Sequence, residues 1–241
     1  MDTDSQLRER LLRLEESIAA ACRAAGRSRS EVSLMAVSKT HPAEAMLAAA
    51  QLGLTLFGEN RVQEFAQKSA QLQPGQRTSL RVHLIGHLQS NKAARAVELF
   101  DGIDSLDSLP LALRLNSAAG TCGKRLPVLL EIKLSDEPTK TGLAPGSPTL
   151  GELLERLPEL AHLRVDGLMA IAPLDASPQQ TSVCFRALRL LRDQIAAAHQ
   201  RLSLPELSMG MSGDFALAIA EGSTRIRIGT ALFGARPAPL P

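Results

Sequence analysis

The chain has 241 residues, 44% of them hydrophobic, enough for one large α/β domain with its own core or for two small ones. Its 27 basic and 25 acidic residues leave a formal charge of +2, which argues against nucleic acid or an acidic membrane as the main partner. The three cysteines, Cys22, Cys122 and Cys184, lie far apart without a C-x-x-C pair, which argues against a disulfide framework or zinc ribbon, and every apolar run is broken by charge before the length of a membrane span. With no signal peptide apparent, a soluble cytoplasmic protein is expected.

In chain order, residues 6–25 place Leu7, Leu11, Leu14, Ile18, Ala21, Cys22 and Ala25 on one stripe with charges opposite, which predicts an amphipathic helix. Apolar runs then alternate with helical patterns. The predicted strands span 32–39, 54–58, 82–86, 102–106, 127–134, 165–171, 206–210 and 225–229. The helices that follow them span 42–52, 60–72, 90–100, 109–118, 149–157, 178–199 and 213–221, with a short turn last. Strands apolar on both faces suit a parallel sheet covered by helices, and eight such units in this length predict a closed (β/α)8 TIM barrel rather than an open doubly wound sheet. One domain over 1–235 is expected, with a mobile loop at 135–148 and a frayed tail at 236–241.

Lys39 closes the first apolar run. From the residue alone it is either a solvated strand end or an amine whose desolvation makes it a usable nucleophile. In a barrel of this kind, ligands sit at the carboxyl ends of the strands, and a phosphate is often held by the loops after strands seven and eight. Those loops carry Met209-Gly-Met-Ser212-Gly213 and Ile228-Gly229-Thr230. Ser212 is expected to cap the helix that begins near Gly213, while Gly229 admits a close approach and Thr230 adds a hydroxyl, so that two helix N-termini converge on one anion. Within Arg225-Ile-Arg227-Ile228 a period of two turns both isoleucines to the helices and Arg227 into the barrel, either to a ligand or to an inward carboxylate such as Glu131.

Six blocks together resemble a known family: Ala36-Val-Ser-Lys39-Thr, Phe57-Gly-Glu-Asn60-Arg-Val-Gln-Glu64, His83-Leu-Ile-Gly-His-Leu-Gln-Ser-Asn-Lys92, Gly167-Leu-Met-Ala-Ile171, Leu207-Ser-Met-Gly-Met-Ser212 and Gly222-Ser-Thr-Arg-Ile-Arg-Ile-Gly-Thr-Ala-Leu-Phe-Gly-Ala235. They are similar to the pyridoxal phosphate homeostasis proteins. The resemblance implies an alanine racemase-like barrel that binds pyridoxal 5′-phosphate, with Lys39 as the Schiff-base lysine and Arg227 facing the pyridine nitrogen. It implies Ser212, Gly229 and Thr230 as phosphate ligands, and Asn60, His83 and Met169 as pocket residues. His83 reads alternatively as a satisfied core histidine and Met169 as plain packing. His83 and His87 straddle a strand-loop junction without an acidic companion, so no metal is expected. Lys133 stands where the family commonly has asparagine.

The resembling racemases supply a second base as a tyrosine from an extra domain, and this chain contains no tyrosine. An arginine beside the pyridine nitrogen also disfavours its protonation and makes the ring a poorer electron sink. What the resemblance implies is a non-enzymatic role: holding pyridoxal phosphate as a reversible aldimine for vitamin B6 homeostasis, with delivery to pyridoxal phosphate-dependent apoenzymes as a possible extension. A pyridoxal phosphate-dependent amino-acid racemase is the alternative, and a Schiff-base aldolase a more distant one. A monomer or weak dimer is expected, since the extra domain is missing.

Overall fold

A computed structural model describes residues 3–134, 141–173 and 175–235, with side chains from Ser5 onward. The expected tail at 236–241 and the first part of the expected loop at 135–148 lie outside the described residues. Eight strands form a closed parallel barrel in chain order: β1 Ser33–Val37, β2 Leu56–Glu59, β3 Arg81–Leu84, β4 Gly102–Leu106, β5 Leu126–Glu131, β6 Leu163–Met169, β7 Glu206–Ser208 and β8 Arg225–Ile228. The helices are α1 Thr3–Ala24, α2 Ala43–Gln51, α3 Val62–Gln71, α4 Pro74–Thr78, α5 Ala93–Leu99, α6 Leu109–Thr121, α7 Pro148–Arg156, α8 Pro178–Ala198, α9 Phe215–Ala220 and α10 Thr230–Phe233. This is the TIM barrel that the alternating pattern predicts.

Residues in register between parallel neighbours share a face, so the pairs Met35↔Arg227, Val37↔Gly58, Gly58↔His83 and Glu131↔Met169 trace the inside of the barrel. Ile226 and Ile228 join the core under the helices instead, as the alternation in β8 requires. Burying those two side chains and their neighbours supplies the hydrophobic stabilisation, roughly 1.5–3 kcal/mol for each fully buried aliphatic side chain. The predicted first helix is present: Leu7, Leu14, Ile18 and Cys22 are buried where α1 packs on α9 and α10. Arg10 fastens that contact by donating to the Phe233 carbonyl at 3.1 Å.

Several boundaries differ from the sequence pattern. The expected helix at 90–100 opens with a 3-10 turn, Ser90–Lys92, before α5 begins. The short helix α4 was not expected, although Pro74 at its first position is a residue suited to a helix start. β1 ends at Val37, so Ser38 and Lys39 leave the strand just where the barrel opens.

Candidate functional site

Lys39 stands at the carboxyl end of β1 and is half-buried. Ser38 continues the ladder through one hydrogen bond, its N–H donating to the Gly58 carbonyl at 3.1 Å. Its side chain faces the helices, where the hydroxyl donates to Glu59 Oε1 at 2.7 Å, so alternation assigns Lys39 to the inner side. Thr40 then takes a left-handed conformation, φ 66°, unusual for a β-branched residue.

A buried ionic cluster lies behind this turn, between β1, β2 and α3. Lys68 Nζ donates to the Ser38 carbonyl at 2.9 Å and pairs with Glu59 at 2.7 Å and Glu64 at 2.8 Å. Glu64 in turn accepts the Thr40 N–H at 2.5 Å. Burial raises the pKa of Glu59, outweighing the opposing charge and hydrogen bond of Lys68. At Glu64 burial acts in the same sense, but the hydrogen bonds of Lys68 and the Thr40 N–H and the nearby positive charges prevail and hold its carboxyl below the ordinary value. The sequence reading did not single out this cluster.

Across the β1–β8 pair lie the loops expected to hold a phosphate. Gly229 precedes α10, and a Cβ there would stand 3.3 Å from the Val37 carbonyl oxygen, so this glycine lets the loop lie against the strand that leads to Lys39. Ser212 Oγ accepts from the Ala231 N–H at 3.4 Å, which joins the loop after β7 to the first turn of α10 and to Thr230. One expectation is corrected here. Ser212 does not cap the helix that follows it: α9 begins later, at Phe215 after Asp214, and Ser212 turns to α10 instead. These loops therefore offer one short helix start and the hydroxyls of Ser212 and Thr230, not two capped helices. His41, two residues after Lys39, stacks obliquely on Phe233 with ring centres 5.1 Å apart, closing the same side of the mouth.

Arg227 points inward and is buried, as β8 predicts, and its guanidinium donates to the Ser208 carbonyl at 2.6 Å, the Ser208 hydroxyl at 3.0 Å and the Ala170 carbonyl at 2.9 Å. Burial lowers its pKa, with Asp104 and Asp214 opposing. Among the described residues no ion pair joins it to Glu131. These bonds hold the guanidinium plane on β6 and β7 and leave further N–H groups for a ligand. Met169, fully buried, is the inward residue in register with both Glu131 and Ser208.

Asn60 opens onto a cavity of about 240 Å³ that is also lined by Ile85, Gly86, Glu131, Thr141 and Ile171. Gly86 permits this closeness, since a Cβ there would lie 2.3 Å from the Asn60 carbonyl oxygen. Glu131 accepts from Thr141 Oγ1 at 3.3 Å through one oxygen, while its buried Oε2 has no hydrogen-bond partner among the described residues. Burial, then repulsion from Asp107, raises the pKa of Glu131. An unsatisfied buried carboxyl beside a cavity is a place where a polar ligand atom fits.

His83 lies lower in the barrel. Its Nδ1 meets Asp104 Oδ1 at 2.8 Å and its ring packs against Gly102, where a Cβ would stand 2.6 Å away. Asp104 reaches Arg225 at 3.1 Å, and Arg225 reaches Glu206 at 3.2 Å. His83 thus has the contacts of a satisfied core histidine, the alternative its sequence position left open. His87 turns to a different carboxylate, Asp107, at 3.0 Å, and among the described residues no group of three metal-ligating side chains forms.

A model of the alanine racemase N-terminal domain family matches residues 11–237. The chain is 43% identical to the pyridoxal phosphate homeostasis protein of Haemophilus influenzae, over 92% of this chain and 93% of that one. It is 42% identical to the pyridoxal phosphate homeostasis protein of Escherichia coli K12, over 94% and 95%. Among solved structures it resembles PipY of Synechococcus elongatus PCC7942 with PLP bound, at 41% identity and a TM-score of 0.81, covering 95% of this chain and 100% of that one. Alanine racemase of Clostridium difficile shares the fold alone, at 15% identity and a TM-score of 0.70, over 93% of this chain and 57% of the racemase.

Proposed function

The chain belongs to the pyridoxal phosphate homeostasis proteins, within the alanine racemase N-terminal domain family, and on that premise we propose that Lys39 is the residue through which it holds pyridoxal 5′-phosphate. The observation that carries the proposal is the approach of Gly229 to Val37, which brings the Ser212, Gly229 and Thr230 cradle alongside the strand that ends at the lysine. The donor set fits the cofactor. Two hydroxyls and the Thr230 N–H at the start of α10 suit a phosphate, a strand-end amine suits an aldehyde, and the fixed guanidinium of Arg227 suits the unprotonated pyridine nitrogen.

When bound, pyridoxal phosphate supplies an aldehyde that an amine captures reversibly. Lys39 would be the residue that holds it, offering its Nζ to that aldehyde. Ser212, Gly229 and Thr230 would hold the phosphate. Arg227 would place a fixed positive charge next to the ring nitrogen and so disfavour its protonation. Asn60 and Met169 line the pocket walls, and His83 with Asp104 supports its floor.

The absence of tyrosine and the place of Arg227 support holding without turnover. The same reading extends to apoenzymes as recipients of the cofactor, to a cytoplasmic location, to one domain over 1–235 and to a monomer or weak dimer, which light scattering would measure. No helix among the described residues is long and apolar enough to cross a membrane. The test combines two measurements on purified protein given pyridoxal phosphate. A visible absorption band should develop, and a single-enantiomer amino acid added in deuterated water should keep its α-proton; no band, or rapid exchange with inversion, contradicts the reading.

A further inference from the structure

We propose that Glu64 and Lys68 of α3 are positioning residues for Lys39, acting as a clamp that holds Thr40 in its left-handed conformation and so directs the lysine into the barrel. This inference rests on the reading of Lys39 as the cofactor-holding residue. Both chain neighbours of Lys39 are tied to the same helix: the Ser38 carbonyl accepts from Lys68 Nζ at 2.9 Å, and the Thr40 N–H donates to Glu64 Oε1 at 2.5 Å. Lys68 then joins the two ties by pairing with Glu64 at 2.8 Å. The backbone on either side of the lysine is thereby fixed against one rigid element.

Thr40 is the only non-glycine residue at positive φ among the described residues, and a β-branched side chain makes that conformation costly. Such strain persists only where the surroundings over-determine it. Here the surroundings are a charge-assisted hydrogen bond to a carboxylate, stronger than a neutral one. Glu64 stays ionised for this purpose, since its hydrogen bonds and the positive charges near it outweigh its burial. Lys68 is itself buried, and a buried ammonium needs a reason. Its three short contacts supply one: they pair the ammonium with two carboxylates and restrain the strand end at once.

A purely structural cluster would only fasten α3 to the sheet. A positioning clamp makes a different demand, namely that the need for Glu64 disappears when the strain at residue 40 disappears. The test uses the full chain, stripped of cofactor and mixed with pyridoxal 5′-phosphate, reading the rate of visible-band formation across pH and, in parallel, the urea unfolding midpoint. Glu64→Gln should slow band formation on the order of tenfold, because a misdirected amine forfeits orientation. The double variant Glu64→Gln with Thr40→Gly should recover most of that rate, since glycine adopts positive φ without the side-chain penalty.

A wild-type rate in Glu64→Gln overturns the clamp, and so does a double variant as slow as the single one. If Glu64→Gln does not fold, Glu64→Asp takes its place; the shorter carboxylate should slow the band, and an unchanged rate overturns the proposal. The absence of any band in the wild-type chain would instead sink the underlying reading of Lys39, and the clamp with it.

Discussion

Two buried charge clusters occupy opposite faces of the same sheet, and they are built to different ends. Inside the barrel, His83, Asp104, Arg225 and Glu206 link β3, β4, β8 and β7, so that Asp104 and Arg225 pair across the interior between strands that are not neighbours. Outside it, Ser38, Glu59, Lys68, Glu64 and Thr40 link one strand pair to α3 and end on the turn around Lys39. Among the described residues each cluster has one buried atom without a hydrogen-bond partner, Arg225 Nε inside and Glu59 Oε2 outside. Asp104 inside and Glu59 outside respond oppositely. Burial works against the charge of Asp104, but the charge and hydrogen bond of His83, with Arg225 and Arg227, prevail and hold its pKa below the ordinary value. At Glu59 burial prevails and the pKa rises. Inside the barrel Asp104 keeps its charge readily, whereas outside it Glu59 carries a reluctant one, next to a Glu64 whose carboxyl is held below the ordinary value and ties the turn around Lys39.

Substituting the two carboxyls by their neutral isosteres should separate these roles. Asp104→Asn leaves Arg225 and its neighbours without a matching charge inside the barrel and should cost roughly 3–5 kcal/mol in urea unfolding at neutral pH. Because the folded pKa of Asp104 is lowered, its contribution is present above the ordinary carboxylate value and lost as pH falls through the folded one, so the deficit of the variant should shrink on acidification. Glu59→Gln should change stability by about 1 kcal/mol or less, since an amide retains an oxygen to accept from Ser38 and Lys68 and brings an N–H₂ to the place of the unpartnered oxygen. Its pH dependence should run the other way. The folded pKa of Glu59 is raised, so the native chain loses stability as pH rises from the ordinary value to the raised one, and the variant should compare most favourably above that range. Equal costs, or pH trends of the same sign, would erase the distinction.

The barrel was legible because its signals are local. Alternating apolar runs and helical periods recur eight times, and the Arg-Ile alternation of β8 allows one inward face only. Lys39 and Gly229 were readable for the same reason, each sitting at a strand end. The capping role expected of Ser212 failed over a shift of two residues: Ser212 and Asp214 are both suitable caps, and where the helix starts depends on packing that the sequence pattern does not encode. The clamp went unseen because its links are long-range, with Thr40 and Glu64 24 positions apart and Ser38 and Lys68 30 apart. One signal was available, the four-residue spacing of Glu64 and Lys68, although that spacing usually marks a solvated pair. Nothing in the residue type announces the left-handed turn at Thr40. Likewise the position of His83 left core and pocket open until Asp104, 21 positions away, was seen to meet it.

The central claim is that one lysine, placed by this turn and faced by the β7–β8 cradle, holds the cofactor. It is tested most directly by adding pyridoxal 5′-phosphate to the purified chain, reducing with borohydride and mapping the labelled peptides. The account predicts a stable pyridoxyl label on Lys39 and none on a Lys39→Ala variant treated alike. A label placed chiefly on Lys68, Lys133 or another lysine, or none at all, would contradict it.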